Sequence, residues 1–124
     1  MNIIGIGTDI VNIDRIKVIY QKYGDAFLDK NFHSLEIKKF STLPIHKKIN
    51  YLAKRFAAKE AFSKAIGTGI GDIAFKDIAV LNNDQGAPYI LIENGKLKEI
   101  EECNILVSLS DDEPFAVAFV IISR

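Results

Sequence analysis

Three charged residues stand at positions that suit chemistry on an anionic group: Asp9, Glu60 and Lys64. When the segment around Glu60 is laid out as a helix, at about 100° per residue, the acid falls in the middle of the apolar sector that Leu52, Phe56 and Ala53 define, with Lys64 beside it. A carboxylate on a buried face is strongly destabilising unless an opposite charge compensates it. Glu60 is therefore predicted to have a charged partner elsewhere in the chain.

Asp9 is a candidate to meet Glu60. The segment Ile3–Val11, IIGIGTDIV, is predicted to be a strand, and its alternation places Gly5, Gly7 and Asp9 on one face. Two glycines leave room for close approach of a helix, which would bring Asp9 to Glu60 if the long helix packs there. Read by itself, Asp9 is equally interpretable as a turn residue or a helix cap.

Two carboxylates that converge repel each other unless a cation lies between them. A carboxylate pair that leaves positions open to water and phosphate oxygens is typical of a magnesium site. Lys64 lies one helical turn after Glu60, so it can either pair with that acid or present its ammonium group to a bound phosphate. The residues alone leave open both Mg²⁺-dependent phosphate chemistry and a simple ion pair.

The spacing of apolar residues along the rest of the chain predicts an α+β fold, with helices in the first half and strands in the second. The predicted helices are Ile13–Tyr23, one or two within residues 25–42, Ile45 to about Ile66, and a short polar one over Gly95–Glu102. The predicted later strands are Ala74–Leu81, Pro88–Ile92, Ile105–Ser110 and Phe115–Ile122, with a turn over Asp111–Pro114. We expect one domain, residues 1–124, in which an antiparallel sheet, completed by the first strand, packs against the long helix.

A formal net charge of zero conceals an uneven distribution of charge. Residues 1–66 hold 12 Lys and Arg against 6 Asp and Glu, whereas residues 67–124 hold 4 against 10. The positive first half is either a solvated helix face or the source of a positive electrostatic field that attracts an anionic substrate or an acidic partner. The neutral chain has no basic tract interleaved with aromatic residues, so nucleic acid is not an expected partner.

Several other classes of protein find little support. The longest apolar run, Phe115–Ile122, is too short to span a membrane, no secretory signal is recognisable, and the single cysteine suits the cytoplasm. His33 and His46 have neither the neighbours of a nucleophilic site nor the spacing of zinc ligands. Gly67–Gly71, GTGIG, follows a helix, so it is not a P-loop; it is a helix cap and turn, or a backbone that approaches a phosphate.

Two stretches, GIGTDIV (Gly5–Val11) and FAAKEAFSKAIGTG (Phe56–Gly69), closely resemble the signature motifs of the holo-acyl-carrier-protein synthases, the small bacterial type of 4'-phosphopantetheinyl transferase. The resemblance extends along the whole chain, through GAPY (Gly86–Tyr89) and VSLSDDEPFAVAFVI (Val107–Ile121). It implies the 4'-phosphopantetheinyl transferase-like fold. It also implies transfer of 4'-phosphopantetheine from coenzyme A to a serine of apo-acyl carrier protein, with release of adenosine 3',5'-bisphosphate, in support of fatty acid biosynthesis.

The resemblance also implies roles for individual residues. Asp9 and Glu60 match the carboxylates that hold Mg²⁺ on the coenzyme A pyrophosphate, and Lys64 matches the lysine that contacts the transferred phosphate. The residues that match the coenzyme A pocket are Ser63, Gly67 and Gly69 around the diphosphate, with Arg55 and Lys59 near the nucleotide.

The same resemblance bears on the partners and on the general base. Arg15 matches a residue that meets the acidic recognition helix of the carrier protein, and with Lys17 and Lys22 it forms the predicted partner-binding surface. Members are commonly homotrimers with active sites between subunits. Many relatives carry a histidine where this chain has Asp111, so the base is predicted to be Asp111 or a water relayed through Glu60, unless Asp111 is only a turn residue.

Two alternatives remain at this point. One is a different Mg²⁺-dependent phosphoryl or nucleotide hydrolase that uses the same carboxylates. The other is a non-catalytic module that binds acidic helical proteins through Arg15, Lys17 and Lys22, with Glu60 merely paired to Lys64. Incubation with apo-acyl carrier protein, coenzyme A and Mg²⁺ distinguishes these alternatives from the transferase.

Overall fold

The computed structural model describes residues 2–67, 73–93 and 95–124 and contains helices and strands in the predicted order. The helices are α1 (Ile13–Tyr23), α2 (Asp25–Asn31), α3 (Ser34–Thr42) and α4 (Ile45–Ile66). The strands are β1 (Ile3–Asn12), β2 (Ile78–Asn82), β3 (Pro88–Ile92), β4 (Asn104–Asp112) and β5 (Phe115–Ser123). The α+β class is confirmed, and the buried hydrophobic residues form one core cluster.

The main sheet is antiparallel, in the order β1-β5-β4, so the first strand completes a sheet that forms late in the chain, as predicted. Asp9 on β1 and Leu109 on β4 both pair with Ala118 of the central strand. The predicted hairpin β2–β3 is a separate two-stranded sheet. Two short segments differ from prediction: Phe75–Asp77 is a 3₁₀ turn before β2, and the predicted polar helix is reduced to a 3₁₀ turn at Lys98–Ile100.

The helix boundaries follow from local chemistry. The side chain of Asn12 accepts the backbone N–H groups of Asp14 and Arg15, at 2.9 and 3.3 Å, and so begins α1 where β1 ends. α4 ends at Gly67, whose φ of +84° is a left-handed conformation that glycine adopts without strain, and whose N–H donates to the carbonyl of Lys64. This cap confirms one predicted role of the glycine-rich segment; Gly69 and its neighbours in 68–72 lie outside the described residues.

α4 packs unusually close to β1. A Cβ atom added to Gly5 would lie 1.9 Å from the carbonyl oxygen of Ala65, and one added to Gly7 would lie 1.9 Å from that of Ala61. A buried row of alanines spaced four residues apart supplies the matching helix surface: Ala53, Ala57, Ala61 and Ala65. The close approach predicted from the two glycines is therefore confirmed.

The opposite face of the main sheet is exposed and apolar. On β1 the side chains of Ile6 and Ile10 are 60% and 61% exposed, and on β5 those of Val117 and Phe119 are also exposed. These residues alternate with the ones that contact α4, as the period of a strand requires. Among the described residues, no helix is both long enough and apolar enough to cross a lipid bilayer.

Candidate active site

The close packing of α4 on β1 determines where Asp9 and Glu60 lie. Asp9 follows Gly7 on the same face of β1, and its side chain is 18% exposed. Partial burial raises the pKa of Glu60, and the negative charge of Asp9 raises that pKa further. The charge of Asp9 therefore acts on Glu60, as the predicted convergence of the two carboxylates requires, and that convergence stays a prediction.

Two cations belong to the same cluster. The Lys64 ammonium donates to Asp9 Oδ1 at 3.1 Å and to the carbonyl oxygen of Thr8 at 2.9 Å. The positive charges of Lys64 and Arg15 both lower the pKa of Glu60, which opposes the effect of Asp9. The partner of Lys64 is therefore Asp9, and the predicted alternative of a simple Glu60–Lys64 ion pair has no counterpart among the described contacts.

The prediction that Glu60 lies in the middle of the buried sector of α4 is wrong. Glu60 is half-buried and Lys64 is exposed, so both lie at the margin of the helix that faces solvent. The deeply buried side of α4 lies elsewhere on the helix, and it includes the alanine row, Phe62 and two cations, Arg55 and Lys59. The layout from Leu52, Ala53 and Phe56 failed because it left out the later alanines of the row and assumed that cations face water.

Lys59 is the fully buried charge of α4. Its ammonium donates to the carboxylate of Glu36 and to the carbonyl oxygens of Asn31, Phe75 and Ile78, the last three at 2.8–2.9 Å. Burial lowers the pKa of Lys59 to about 8, although Glu36 attracts its proton. The prediction that Lys59 contacts the nucleotide of coenzyme A is wrong, because its side chain has no exposed surface and its donors are engaged within the chain.

Arg55 is also buried, with 5% of its surface exposed. Its guanidinium lies over the ring of Tyr51, 4.1 Å from the centroid, and donates to the side-chain oxygen of Asn82. Burial lowers the pKa of Arg55, while Tyr51 and Glu36 oppose that shift. These contacts give Arg55 a role in packing β2 against α4, and its contact with a nucleotide stays a prediction.

Asp111 does not lie with the carboxylate pair in a single chain. It belongs to β4, which β5 separates from β1, so it is a strand residue and not the turn residue that the sequence allowed. Its carboxylate accepts a hydrogen bond from Asn50 at 2.9 Å and pairs with Lys54 at 3.2 Å. The Asn50 hydrogen bond, together with Lys54, lowers the pKa of Asp111, which weakens it as a proton acceptor. Within one chain, the assignment of Asp111 as base is therefore not supported.

The other predicted residues occupy accessible positions. Ser63 is half-buried one residue before Lys64, and Gly67 is exposed at the end of α4, so both lie near the cation of the cluster. Arg15, Lys17 and Lys22 are exposed on α1. Their ligands and partners stay predictions.

Sequence reasoning missed Glu36, a fully buried acid on α3. Its carboxylate accepts the N–H of His33 at 2.8 Å and the N–H of Val80 at 2.9 Å, in addition to the bond from Lys59. The available signal was its place three residues after His33, where an acid closes a capping box at a helix start. That pattern indicates a cap, but it does not show that the acid also neutralises a buried lysine.

The carboxylate pair fits a magnesium ion by its donor chemistry. Among residues 2–67, 73–93 and 95–124, no group of three or more His, Cys, Asp or Glu residues is arranged to hold a metal. Mg²⁺ does not need such a group, because it commonly binds one or two carboxylates and takes its other ligands from water and phosphate oxygens. Asp9 and Glu60 supply two oxygen donors whose mutual repulsion a cation would relieve.

The raised pKa of Glu60 predicts how its replacement changes stability with pH. Because the pKa is raised on folding, the folded protein binds this proton more tightly than the unfolded chain does. The stabilisation from this group is therefore present at low pH and is lost as the pH rises through the folded-state pKa. We expect Glu60→Gln to raise the melting temperature at neutral pH without metal, and the difference to vanish in acid. Thermal unfolding from pH 7 to pH 3 tests this, and a gain that is equal at all pH values would contradict it.

Comparison with known proteins adds a consistent set of similarities. The family model of the 4'-phosphopantetheinyl transferase superfamily (ACPS) matches residues 5–120. A holo-[acyl-carrier-protein] synthase of Orientia tsutsugamushi strain Boryong is 43% identical over 127 residues, covering 98% of this chain and 97% of the relative.

Solved structures agree with that similarity. The holo-[acyl-carrier-protein] synthase of Neisseria meningitidis superposes with a TM-score of 0.91 at 40% identity, covering 99% of this chain and 100% of the other. The Bacillus anthracis synthase, solved in complex with CoA (3',5'-ADP), gives a TM-score of 0.84 at 36% identity over 98% of this chain and 97% of the other.

Proposed function

This chain belongs to the 4'-phosphopantetheinyl transferase superfamily, and from that premise we propose that Asp9 and Glu60 hold the Mg²⁺ of its transfer reaction. The chain is a transferase of the holo-acyl-carrier-protein synthase kind, which moves 4'-phosphopantetheine from coenzyme A to acyl carrier protein. The observation that supports the metal proposal is that the charge of Asp9 raises the pKa of Glu60 where α4 packs on the glycine face of β1.

The residues of the cluster have complementary tasks in this proposal. When bound, Mg²⁺ would withdraw charge from pyrophosphate oxygens of coenzyme A. The Lys64 ammonium, 57% exposed and close to Asp9, contacts the transferred phosphate and favours its developing charge. Ser63 and Gly67, at the end of α4, are proposed to bind the diphosphate, and the resemblance adds Gly69 to this set. The leaving group is adenosine 3',5'-bisphosphate, and the carrier serine attacks in line with it.

The exposed cations of α1 support recognition of an acidic carrier protein. Arg15, Lys17 and Lys22 are exposed, and the charge of Arg15 reaches Glu60. A basic helix at the rim of the site would orient an acidic partner so that its serine enters next to the carboxylate pair. A cytoplasmic location stays part of this proposal because a single cysteine suits a reducing compartment.

We further propose that the chain assembles as a homotrimer through the exposed face of its main sheet. That face presents an apolar patch on β1 and β5, made of Ile6, Ile10, Val117 and Phe119. Apolar patches of this kind commonly mark interfaces, and a second copy of the chain offers a surface of the same chemistry. Because Asp9 lies on the same strand as Ile6 and Ile10, assembly through this sheet would bring a neighbouring subunit to the strand that carries the site.

A substitution in that face tests the assembly. We expect the wild-type chain to elute with about three times the 13.8 kDa mass of one protomer, and Ile6→Glu to give monomers because it buries a charge in the interface. Light scattering coupled to gel filtration measures both masses. Ile45→Glu is the matched control, since Ile45 is 86% exposed on α4 and away from the sheet. A wild-type monomer, or an Ile6→Glu trimer, would contradict the proposal.

The transfer reaction itself is tested with the chain, apo-acyl carrier protein, coenzyme A and Mg²⁺. Mass spectrometry is expected to show a gain of one 4'-phosphopantetheine on the carrier protein and none when Mg²⁺ is removed by chelation. No added mass would overturn the transferase. Release of nucleotide products from coenzyme A without carrier protein would instead favour a hydrolase.

A further inference from the structure

We propose that His33 is a pH-sensitive switch, which caps α3 as a neutral imidazole and gives up that cap for an ion pair with Glu93 when it is protonated. His33 directly precedes the first residue of α3, and its side chain is 10% exposed. Both of its ring nitrogens contact other groups of the chain. These two contacts respond in opposite ways when the ring takes up a second proton.

The first contact caps α3. The Nδ1 atom of His33 accepts a hydrogen bond from the backbone N–H of Leu35, at 3.0 Å. The first N–H groups of a helix have no acceptor within the helix, so this bond satisfies a donor that α3 itself leaves unpaired. Nδ1 can accept only while it carries no proton. The cap therefore requires a neutral ring, and the pattern of partners assigns its single proton to Nε2.

The second contact joins the ring to an acid. The Nε2 atom of His33 contacts a carboxylate oxygen of Glu93, the residue that follows β3. The neutral ring donates its proton to this carboxylate, and in the imidazolium form the same contact becomes an ion pair. The backbone N–H of Glu93 donates to the carbonyl oxygen of Asp77, at 3.1 Å, which anchors the acid in the chain. The contact with Glu93 therefore survives protonation and gains strength from it.

Protonation removes the first contact while it strengthens the second. A second proton on the ring must go to Nδ1, where it faces the N–H of Leu35, and two donors that face each other repel. The positive end of the helix dipole also disfavours a cation beside the first turn of α3. The ion pair with Glu93 offsets the loss of the cap, so the ring changes its contacts while the chain remains folded. Because histidine ordinarily changes charge between pH 5 and 8, mild acid is expected to release the first turn of α3 from its cap.

Other charged groups lie near the same ring. A cavity of about 480 Å³ opens beside His33, between α2, α3 and the segments that flank the β2–β3 hairpin. Its charged lining comprises two cations and three acids, namely Lys76, Lys96, Asp29, Asp77 and Glu93. On α3 the carboxylate of Glu36 accepts the backbone N–H of His33, at 2.8 Å, and Lys59 neutralises that carboxylate. Glu93 is the acid in contact with the imidazole, so it is the charge whose removal is expected to alter the switch most.

Hydrogen exchange of the full chain, followed by NMR from pH 7.5 to pH 5.0, tests the switch. The N–H of Leu35 reports on the cap, because α3 supplies no other acceptor for it. After correction for the intrinsic effect of pH on exchange, we expect the protection of this N–H to fall by about 5-fold at pH 5.0, a usual effect of losing a capping side chain. The ¹⁵N shifts of the His33 ring at pH 7.5 are expected to show a bare Nδ1 and a protonated Nε2.

Three variants identify the groups responsible. His33→Asn is the matched variant, because asparagine caps a helix without titrating in this range, so its protection of Leu35 is expected to be equal at both ends of the range. Glu93→Gln keeps an acceptor for Nε2 but removes the charge that stabilises the imidazolium, so its loss of protection is expected at a lower pH than in the wild type. His46→Asn, at an exposed position on α4, controls for the second histidine and is expected to respond as the wild type does.

Several results would overturn the proposal. One is equal protection of Leu35 at pH 7.5 and pH 5.0 in the wild type, and another is a neutral ring whose proton lies on Nδ1. An undiminished response to pH in His33→Asn would assign the effect to another group. A response of Glu93→Gln that coincides with that of the wild type would exclude the exchange of partners. If His33→Asn does not fold, His33→Ser takes its place with the same expected result, since serine is also a strong capping residue.

Discussion

Glu60→Gln is expected to reduce transfer of 4'-phosphopantetheine by on the order of 100-fold or more, while the chain remains folded. The amide keeps the size of the side chain but removes the negative charge that, with Asp9, would attract Mg²⁺. The stability of the metal-free protein should not fall, because partial burial and the charge of Asp9 already disfavour the charged form of Glu60. The rate of mass gain on apo-acyl carrier protein, at saturating coenzyme A, measures the effect.

Asp9→Asn is the matched variant, since it removes the other carboxylate of the pair. Both variants are expected to lose the rise in melting temperature that Mg²⁺ should give the wild-type chain by binding only the folded form. Glu102→Gln is the control, because this exposed acid lies far along the chain from the cluster. Near-normal turnover of Glu60→Gln would mean that Glu60 has only a structural role.

The sequence predicted the elements that place the carboxylates because the signals there are local. Gly5 and Gly7 on one face of a strand indicate close approach of another element whatever that element is. Gly67 after a long helical pattern indicates where α4 ends. The sequence also allowed Glu60 to be proposed as the residue that meets Asp9, because few elements in a chain of this length can cover that face of β1.

The interior of α4 could not be predicted because its buried side depends on distant partners. Lys59 is buried only because Glu36 on α3 and three backbone carbonyls surround its ammonium. The burial statistics of residue types place lysine at the protein surface, and no local sequence pattern links positions 36 and 59. The sheet order has the same limitation: Asp111 lies on β4, which β5 separates from β1, and the residue pattern alone does not determine that order.

Gly7→Ala is the second change with a large expected effect, and it tests the packing from which the site is built. The added Cβ would lie 1.9 Å from the carbonyl oxygen of Ala61 and 2.8 Å from the nitrogen of Ala65. Both are backbone atoms, so no side chain can rotate away and α4 itself must move from β1. Overpacking of this kind costs about 1–3 kcal/mol or more, and a displacement of about 1 Å between catalytic groups can reduce a rate by about 100-fold.

We therefore expect Gly7→Ala to lower both the melting temperature and the transfer rate, with the rate falling further than a loss of folded protein explains. Thr8→Ala is the neighbouring control, because Thr8 faces away from α4 and its hydroxyl makes a single bond, to the carbonyl of Ala118. Adding Ala61→Gly to Gly7→Ala should not restore activity, since it removes a methyl group and leaves the obstructing carbonyl. Rescue by that change, or normal turnover of Gly7→Ala, would mean that contact between α4 and β1 does not set the separation of Asp9 and Glu60.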